Sequence, residues 1–112
     1  APCTVFEKTL GELMADSNAW PVALGCTREA YDAAIAHKIQ LDFNDPEQYV
    51  LKFGENMPDA RPSMYLDHLD GRRSEIDAIN GMVPLVSKQV GLEAPFNTAL
   101  TAIVRSREEK FS

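Results

Sequence analysis

Few residues of this chain combine a chemically capable side chain with a telling position. Glu75 opens the stretch Glu75-Ile76-Asp77-Ala78-Ile79-Asn80-Gly81, and Ile76, Ile79, Val83, Val86 and Val90 recur at spacings of 3, 4, 3 and 4. That rhythm predicts a helix over residues 75–90 with a narrow apolar seam. At about 100° per residue, Glu75 lies roughly 50° from the seam centre, whereas Asp77, about 150° away, faces water. Glu75 is thus a carboxylate beside a packing surface at a helix start. It can hold a ligand in orientation, or simply complement the helix dipole as first-turn acids do. Pro62-Ser63 is the second candidate. Proline suits a first helical turn, whose N–H groups lack intrahelical partners, and a serine hydroxyl beside those donors can bind a carboxylate or phosphate. Serine is equally a common helix cap, so spacing alone leaves both readings open.

The remaining candidates are weaker. His37 ends a predicted helix and His68 sits in an acid-rich one. With no third ligand at a suitable spacing, both read as surface or half-buried residues, and no metal site is expected. Arg72-Arg73 could meet an anionic cofactor or form a solvated turn with neighbouring acids. No GxSxG, GxGxxG or GxxxxGK[ST] occurs. Cys3 and Cys26, without a CxxC or a cysteine–histidine cluster, fit two free thiols. One disulfide in a secreted helical protein is the alternative.

The elements that must position these residues are helical throughout. Thr9-Leu10-Gly11-Glu12 reads as a capping box for a short helix, Leu10 to Ala15. Asp16-Ser17-Asn18 can cap a longer one, with Trp20, Ala23, Leu24, Tyr31, Ala34 and Ile35 on one face and Pro21 in its first turn. Asn44 with Glu47, and Pro46 just inside, begins a third, with Tyr49, Val50 and Phe53 as its buried stripe and Gly54 as its stop. A loop over 57–62 leads to a helix from Pro62 to about Asp70, interrupted at Gly71. Ser74 caps the 75–90 helix and Gly91 closes it; Pro84 should bend it, because the Asn80 carbonyl loses its donor. A last helix, from about Phe96 to Arg107, buries Ala99, Leu100, Ile103 and Val104. With no strand alternation of useful length, the fold class is all-α, a bundle of five or six helices.

The 112 residues are 45% hydrophobic and 25% charged, with a net charge of −6. This is the composition of one globular domain. An acidic chain without a basic stripe argues against a nucleic-acid partner, and its apolar stretches are too short for a membrane span. No targeting segment is visible. A nucleotide-binding fold plus a substrate domain needs roughly 250 residues, so the length excludes a complete two-domain dehydrogenase. The chain opens on Ala1 without a Met, from which removal of an initiator, a leader or an upstream domain is expected.

The run Pro62-Ser63-Met64-Tyr65-Leu66-Asp67-His68-Leu69-Asp70-Gly71-Arg72-Arg73-Ser74-Glu75-Ile76-Asp77-Ala78-Ile79-Asn80-Gly81 resembles a signature of the ketopantoate reductase C-terminal domain, P-S-M-x-x-D-x-x-x-G-R-x-[ST]-E-I-D-x-[IL]-N-G. Gly91-Leu92-Glu93-Ala94-Pro95-Phe96-Asn97 is similar to the family's G-[IV]-x-x-P-x-N, and Leu10-Gly11-Glu12-Leu13 to its G-E-L helix. The resemblance covers essentially the whole chain. It implies a cytoplasmic reductase whose N-terminal Rossmann domain holds NADPH. A helical domain like that of 6-phosphogluconate dehydrogenase closes over it, with a small 2-oxo acid between the two. The implied reaction is ketopantoate (2-dehydropantoate) to pantoate, towards pantothenate and coenzyme A. By motif position, Ser63 and Glu75 would contact the substrate, Glu75 at its hydroxyl or oxo end.

The family's general-acid lysine and asparagine ligands lie just upstream of the residues matched here, and Lys8 is not in that motif. The resemblance therefore implies no catalytic residue in this chain, and no activity of the chain alone. Where the family often has Asn three residues before the serine, this chain has Ala60, which opens the choice of a different 2-oxo acid. An acidic helical interaction module without catalysis is the other class of reading. Absence of the upstream helix would expose an apolar face, from which a homodimer or larger species is expected.

Overall fold

A computed structural model describes residues 1–111. Among them are seven helices and no strand: α1 (Pro2–Phe6), α2 (Leu10–Ala15), α3 (Trp20–Ala36), α4 (Pro46–Asn56), α5 (Ser63–Leu69), α6 (Met82–Gln89) and α7 (Pro95–Glu108). The all-α expectation holds, with one helix more than foreseen. Local signals account for most boundaries. Thr9 Oγ1 accepts from the Glu12 N–H at 3.3 Å, and the Thr9 N–H donates to Glu12 Oε1 at 2.9 Å, completing the capping box of α2. Asp16 Oδ1 accepts from the N–H groups of Asn18 and Ala19 at 2.8 and 3.0 Å, turning the chain into α3. Gly71 and Gly91 adopt φ of +69° and +77° just beyond α5 and α6, a left-handed turn that glycine makes without steric cost.

The additional helix, α1, has no side-chain cap of its own. Its last carbonyls are satisfied from the far end of the chain, where Arg107 donates to the carbonyls of Thr4 and Val5 at 2.9 and 3.3 Å. Helix α4 is capped by Asp45, which accepts from the Gln48 N–H at 3.1 Å, one residue later than the Asn44 signal. It also runs through Gly54 to Asn56. Gly54 is buried against Met14, whose sulfur would collide with a Cβ, so this glycine serves a close approach and not a helix stop.

Residues 75–90 do not form one helix. Residues 76–81 form turns, and α6 starts only at Met82. Pro84 has no N–H for the Asn80 carbonyl, and its ring would crowd the preceding turn of a continuous helix. Starting at Met82 places Pro84 in the first turn, where no N–H is required. The chain therefore breaks where a bend was expected. The Gly81 N–H reaches the Ile76 carbonyl at 2.8 Å, and the N–H groups of Ala78 and Ile79 share the Glu75 carbonyl at 3.1 Å.

Several predicted core residues lie outside the core. Tyr49, Phe53, Ile79, Ile35 and Ile103 are each close to half exposed, and Ala99 is exposed as well. Tyr49 instead stacks on Phe43, with ring centroids 4.1 Å apart, and Phe43 leans on Tyr31 at 5.7 Å, pinning the loop between α3 and α4. The core has two parts. Cys3, Leu10, Leu13, Ala19 and Ala23 form one; Met64, Ile76 and Val104 form the other. Helix α7 packs against α1, α3 and α6, so both of its ends lie where other elements meet.

Candidate functional site

Glu75 is fixed by its neighbours, without a helix of its own. Ser74 donates both its N–H and its hydroxyl to Glu108 Oε2, at 3.0 and 2.6 Å. Asp77 accepts from Arg105 Nε at 2.8 Å and from Nη2 of the same guanidinium. Ile76, between them, is buried against Met64 and Val104. Both anchors come from the last turns of α7. The backbone at Glu75 is therefore held from both sides, while its side chain is exposed and without a polar partner among the described residues.

Glu108 was not singled out from the sequence. The available signal was an acid in a last helical turn, where the dipole favours bases. Burial alone would raise the Glu108 carboxyl. Hydrogen bonds from the Ser74 hydroxyl, from His68 and from the Ser74 amide outweigh burial and hold it below the ordinary value. His68 Nε2 lies 2.8 Å from Glu108 Oε2, and Phe111 meets the imidazole edge-on at 5.1 Å. His68 is half-buried as a residue, as expected, but its side chain is only 5% exposed and is committed to Glu108. An ionised carboxylate can only accept, so Nε2 is the donor in this contact, and Nδ1 has no partner among the described residues.

Ser63 begins α5, exposed, and α5 has no side-chain cap bond, so Ser63 does not act as the ordinary cap. Neither Ser63 nor Glu75 lines the groove of about 440 Å³ between the helices, but both adjoin its walls. Pro62 precedes Ser63, and Ile79, whose N–H bonds the Glu75 carbonyl, is another wall residue. Leu13, Trp20, Val50 and Phe53 make the groove apolar, with Asn80 and Asn97 as its amides.

Those two amides have determined orientations. Asn97 Nδ2 donates to the Cys26 carbonyl at 3.1 Å and to Glu29 Oε1 at 2.8 Å, both of which can only accept. Asn97 Oδ1 must then receive Asn80 Nδ2, at 2.7 Å, which leaves Asn80 Oδ1 buried and unpartnered. Glu29 also accepts from the N–H groups of Phe96 and Asn97, each at 2.8 Å, capping α7 from α3. Asn80 and Asn97 both lay within the matched motifs, yet their types alone assigned them no role.

The other candidates take structural places. Cys3 and Cys26 are free and buried, so no disulfide joins them. Burial, and then the charge of Glu29, pushes the Cys26 thiol up to about 12; burial also raises Cys3. Arg72 pairs with Asp67 and Asp70 at 3.4 and 3.2 Å, as a solvated turn would. His37, exposed, bonds the Val86 carbonyl through Nε2 at 2.8 Å. No helix among the described residues is long and apolar enough to cross a membrane.

Residues 1–108 match the family model for the ketopantoate reductase PanE/ApbA C-terminal domain. The chain belongs to the ketopantoate reductase family. It is 27% identical over 107 residues to the 2-dehydropantoate 2-reductase of Streptococcus pyogenes, a match covering 95% of this chain and 35% of that protein. To the 2-dehydropantoate 2-reductase of Pyrococcus horikoshii it is 33% identical over 87 residues, covering 78% and 29%. The crystal structure of a PanE/ApbA family ketopantoate reductase from Ralstonia eutropha JMP134 superposes with a TM-score of 0.86 at 28% identity, over 96% of this chain and 36% of that one. D-mandelate dehydrogenase with NADH and anilino(oxo)acetate superposes with a TM-score of 0.81 at 28% identity, over 97% and 46%. The chain thus spans about a third of the length of the ketopantoate reductases it matches and corresponds to their helical C-terminal domain. The family is one of nicotinamide-dependent oxidoreductases.

Proposed function

We propose that this chain is the substrate-positioning domain of a cytoplasmic, NADPH-dependent 2-dehydropantoate 2-reductase. An N-terminal Rossmann domain would close against it over ketopantoate. The chain's own residues do not fit a nucleotide site. No strand occurs among the described residues, no glycine-rich phosphate turn exists, and Arg72 is committed to its neighbouring acids. The nucleotide would be held by the partner domain and, when bound, would supply the hydride. This chain contributes orientation. The exposed Ser63 hydroxyl takes one polar end of the 2-oxo acid. Glu75 accepts a hydrogen bond from the substrate hydroxyl, so that one face of the reacting carbonyl is presented. The general acid comes from outside the chain.

The observation that carries this reading is the exposed, unpartnered Glu75 carboxylate on a backbone anchored on both flanks. In the full-length protein, Glu75→Gln should lower kcat/KM for ketopantoate by about 100-fold, a loss typical of misplaced reactants. Unchanged kinetics would overturn the assignment. The 112-residue chain alone should show no NADPH oxidation with ketopantoate, and measurable turnover would contradict it.

Ala60 favours a second reading, with a different 2-oxo acid as substrate. Its carbonyl accepts from the Leu10 N–H at 3.0 Å, and it packs, partly buried, against the first core cluster, so no side-chain amide is offered there. A panel of 2-oxo acids, including aromatic ones, decides between them. A higher kcat/KM for another member than for ketopantoate selects this second reading.

A further inference from the structure

We infer that Glu108 is a positioning residue for Glu75, and that the last turn of α7 sets the geometry of the substrate-facing carboxylate; this rests on the role of Glu75 proposed above. Burial and the helix dipole both disfavour a carboxylate at this place. It is buried, 7% exposed, and sits at the negative end of the α7 dipole. A neutral side chain would avoid both penalties but forfeit the hydrogen bonds that outweigh them. What the carboxylate does is gather three donors onto one oxygen: the Ser74 amide, the Ser74 hydroxyl and His68 Nε2.

Each contact has a positional consequence. Ser74 is gripped through both backbone and side chain, so the peptide leading into Glu75 cannot rotate without breaking a bond to Glu108. The burial of Ile76 prevents the compensating rotation on the other side. The Arg105–Asp77 contact adds a second tether, but both of its side chains are largely exposed and such pairs are worth little. His68 lies in the last turn of α5, the helix that begins at Ser63. His68 lies five positions after Ser63 in the same helix. A single oxygen therefore ties the Ser63 helix and the Glu75 loop to the same point on α7.

The test uses the full-length protein, NADPH, and ketopantoate or the best 2-oxo acid of the panel. Ser74→Ala and Glu108→Gln should each raise KM for the 2-oxo acid about tenfold while KM for NADPH stays unchanged, because the orientation of Glu75 is what is lost. Ser74→Thr, which keeps the hydroxyl and the amide, should retain the wild-type value. In a Glu75→Gln background, Ser74→Ala should add nothing further. Lowered thermal midpoints with an unchanged KM for the 2-oxo acid, or effects that multiply in the double variant, would show a structural role only and overturn the inference. Should Glu108→Gln fail to fold, Ser74→Ala decides, since it deletes one hydroxyl and leaves the amide contact. If Glu75→Gln is impaired while the Ser74 and Glu108 variants are not, this inference fails alone. If Glu75→Gln is itself unimpaired, the role of Glu75 fails, and this inference with it.

Discussion

The two ends of α7 each carry a carboxylate that gathers hydrogen bonds, and the two do opposite work. At the start, Glu29 reaches across from α3 and accepts from the amides of Phe96 and Asn97 and from Asn97 Nδ2. A negative charge at a helix N-terminus agrees with the dipole and satisfies donors that would otherwise be orphaned. At the finish, Glu108 opposes the dipole and is buried. One carboxylate stabilises the start of the helix; the other overcomes burial and the dipole through its hydrogen bonds and holds a loop. The contrast is sharpest under removal of the first. Glu29→Ala removes one of the two acceptors of the buried Asn97 amide and strands two helix N–H groups, so it should cost about 3 kcal/mol and lower Tm by roughly 10–20 °C. Thermal unfolding checks this. A cost no larger than that of Glu108→Gln would erase the distinction between the ends.

Glu108→Gln should cost less, about 1–2 kcal/mol near neutral pH, and its signature is pH dependence. The folded-state pKa of Glu108 lies below its ordinary value of 4.5. Its contribution is therefore complete above that value and is lost as pH falls through the folded pKa. Denaturant unfolding of wild type and variant should differ at pH 7 and converge as the pH drops below 4.5. A gap that stayed constant into acid would show that the carboxylate charge is not what Ser74 and His68 recognise.

The same contrast explains what was legible in the sequence. Helices α2, α3, α5 and α7 announce themselves through short-range chemistry, such as the Thr9–Glu12 box and the Asp16 turn, and short range is what a sequence displays. Ser63 and Glu75 were singled out by type and motif. The scaffold around Glu75 was not legible, because two local signals conflicted there. The apolar rhythm of residues 76–90 asked for one helix, Pro84 forbade its middle, and the backbone break won. Helix α1 and the Glu108 cluster were out of reach for another reason. Arg107 caps α1 from more than 100 residues away, and Glu108 meets Ser74 across 34. Tyr49 and Phe53 had the spacing of a buried stripe, but spacing identifies a face and not what covers it.

The groove supplies the smallest effect on stability and a separate contrast, between polar groups that are satisfied and apolar ones that are not. At Glu108 Oε2, three donors meet one buried acceptor. Along the groove, Phe53 and Ile79 are 49% and 46% exposed, and Asn80 Oδ1 is unpartnered. Apolar walls of this kind drive association when nothing else covers them. The 112-residue chain in isolation should therefore form dimers or larger species through this face. Sedimentation over a range of concentrations reads the association directly. Phe53→Glu should shift it towards monomer while changing unfolding stability by no more than about 0.5 kcal/mol, because the ring is already half in water. Monomer at every workable concentration for the unmodified chain would mean that the groove walls close on themselves in solution. Association that survived Phe53→Glu would move the contact to another face, such as the apolar surface around Phe96 and Ile103.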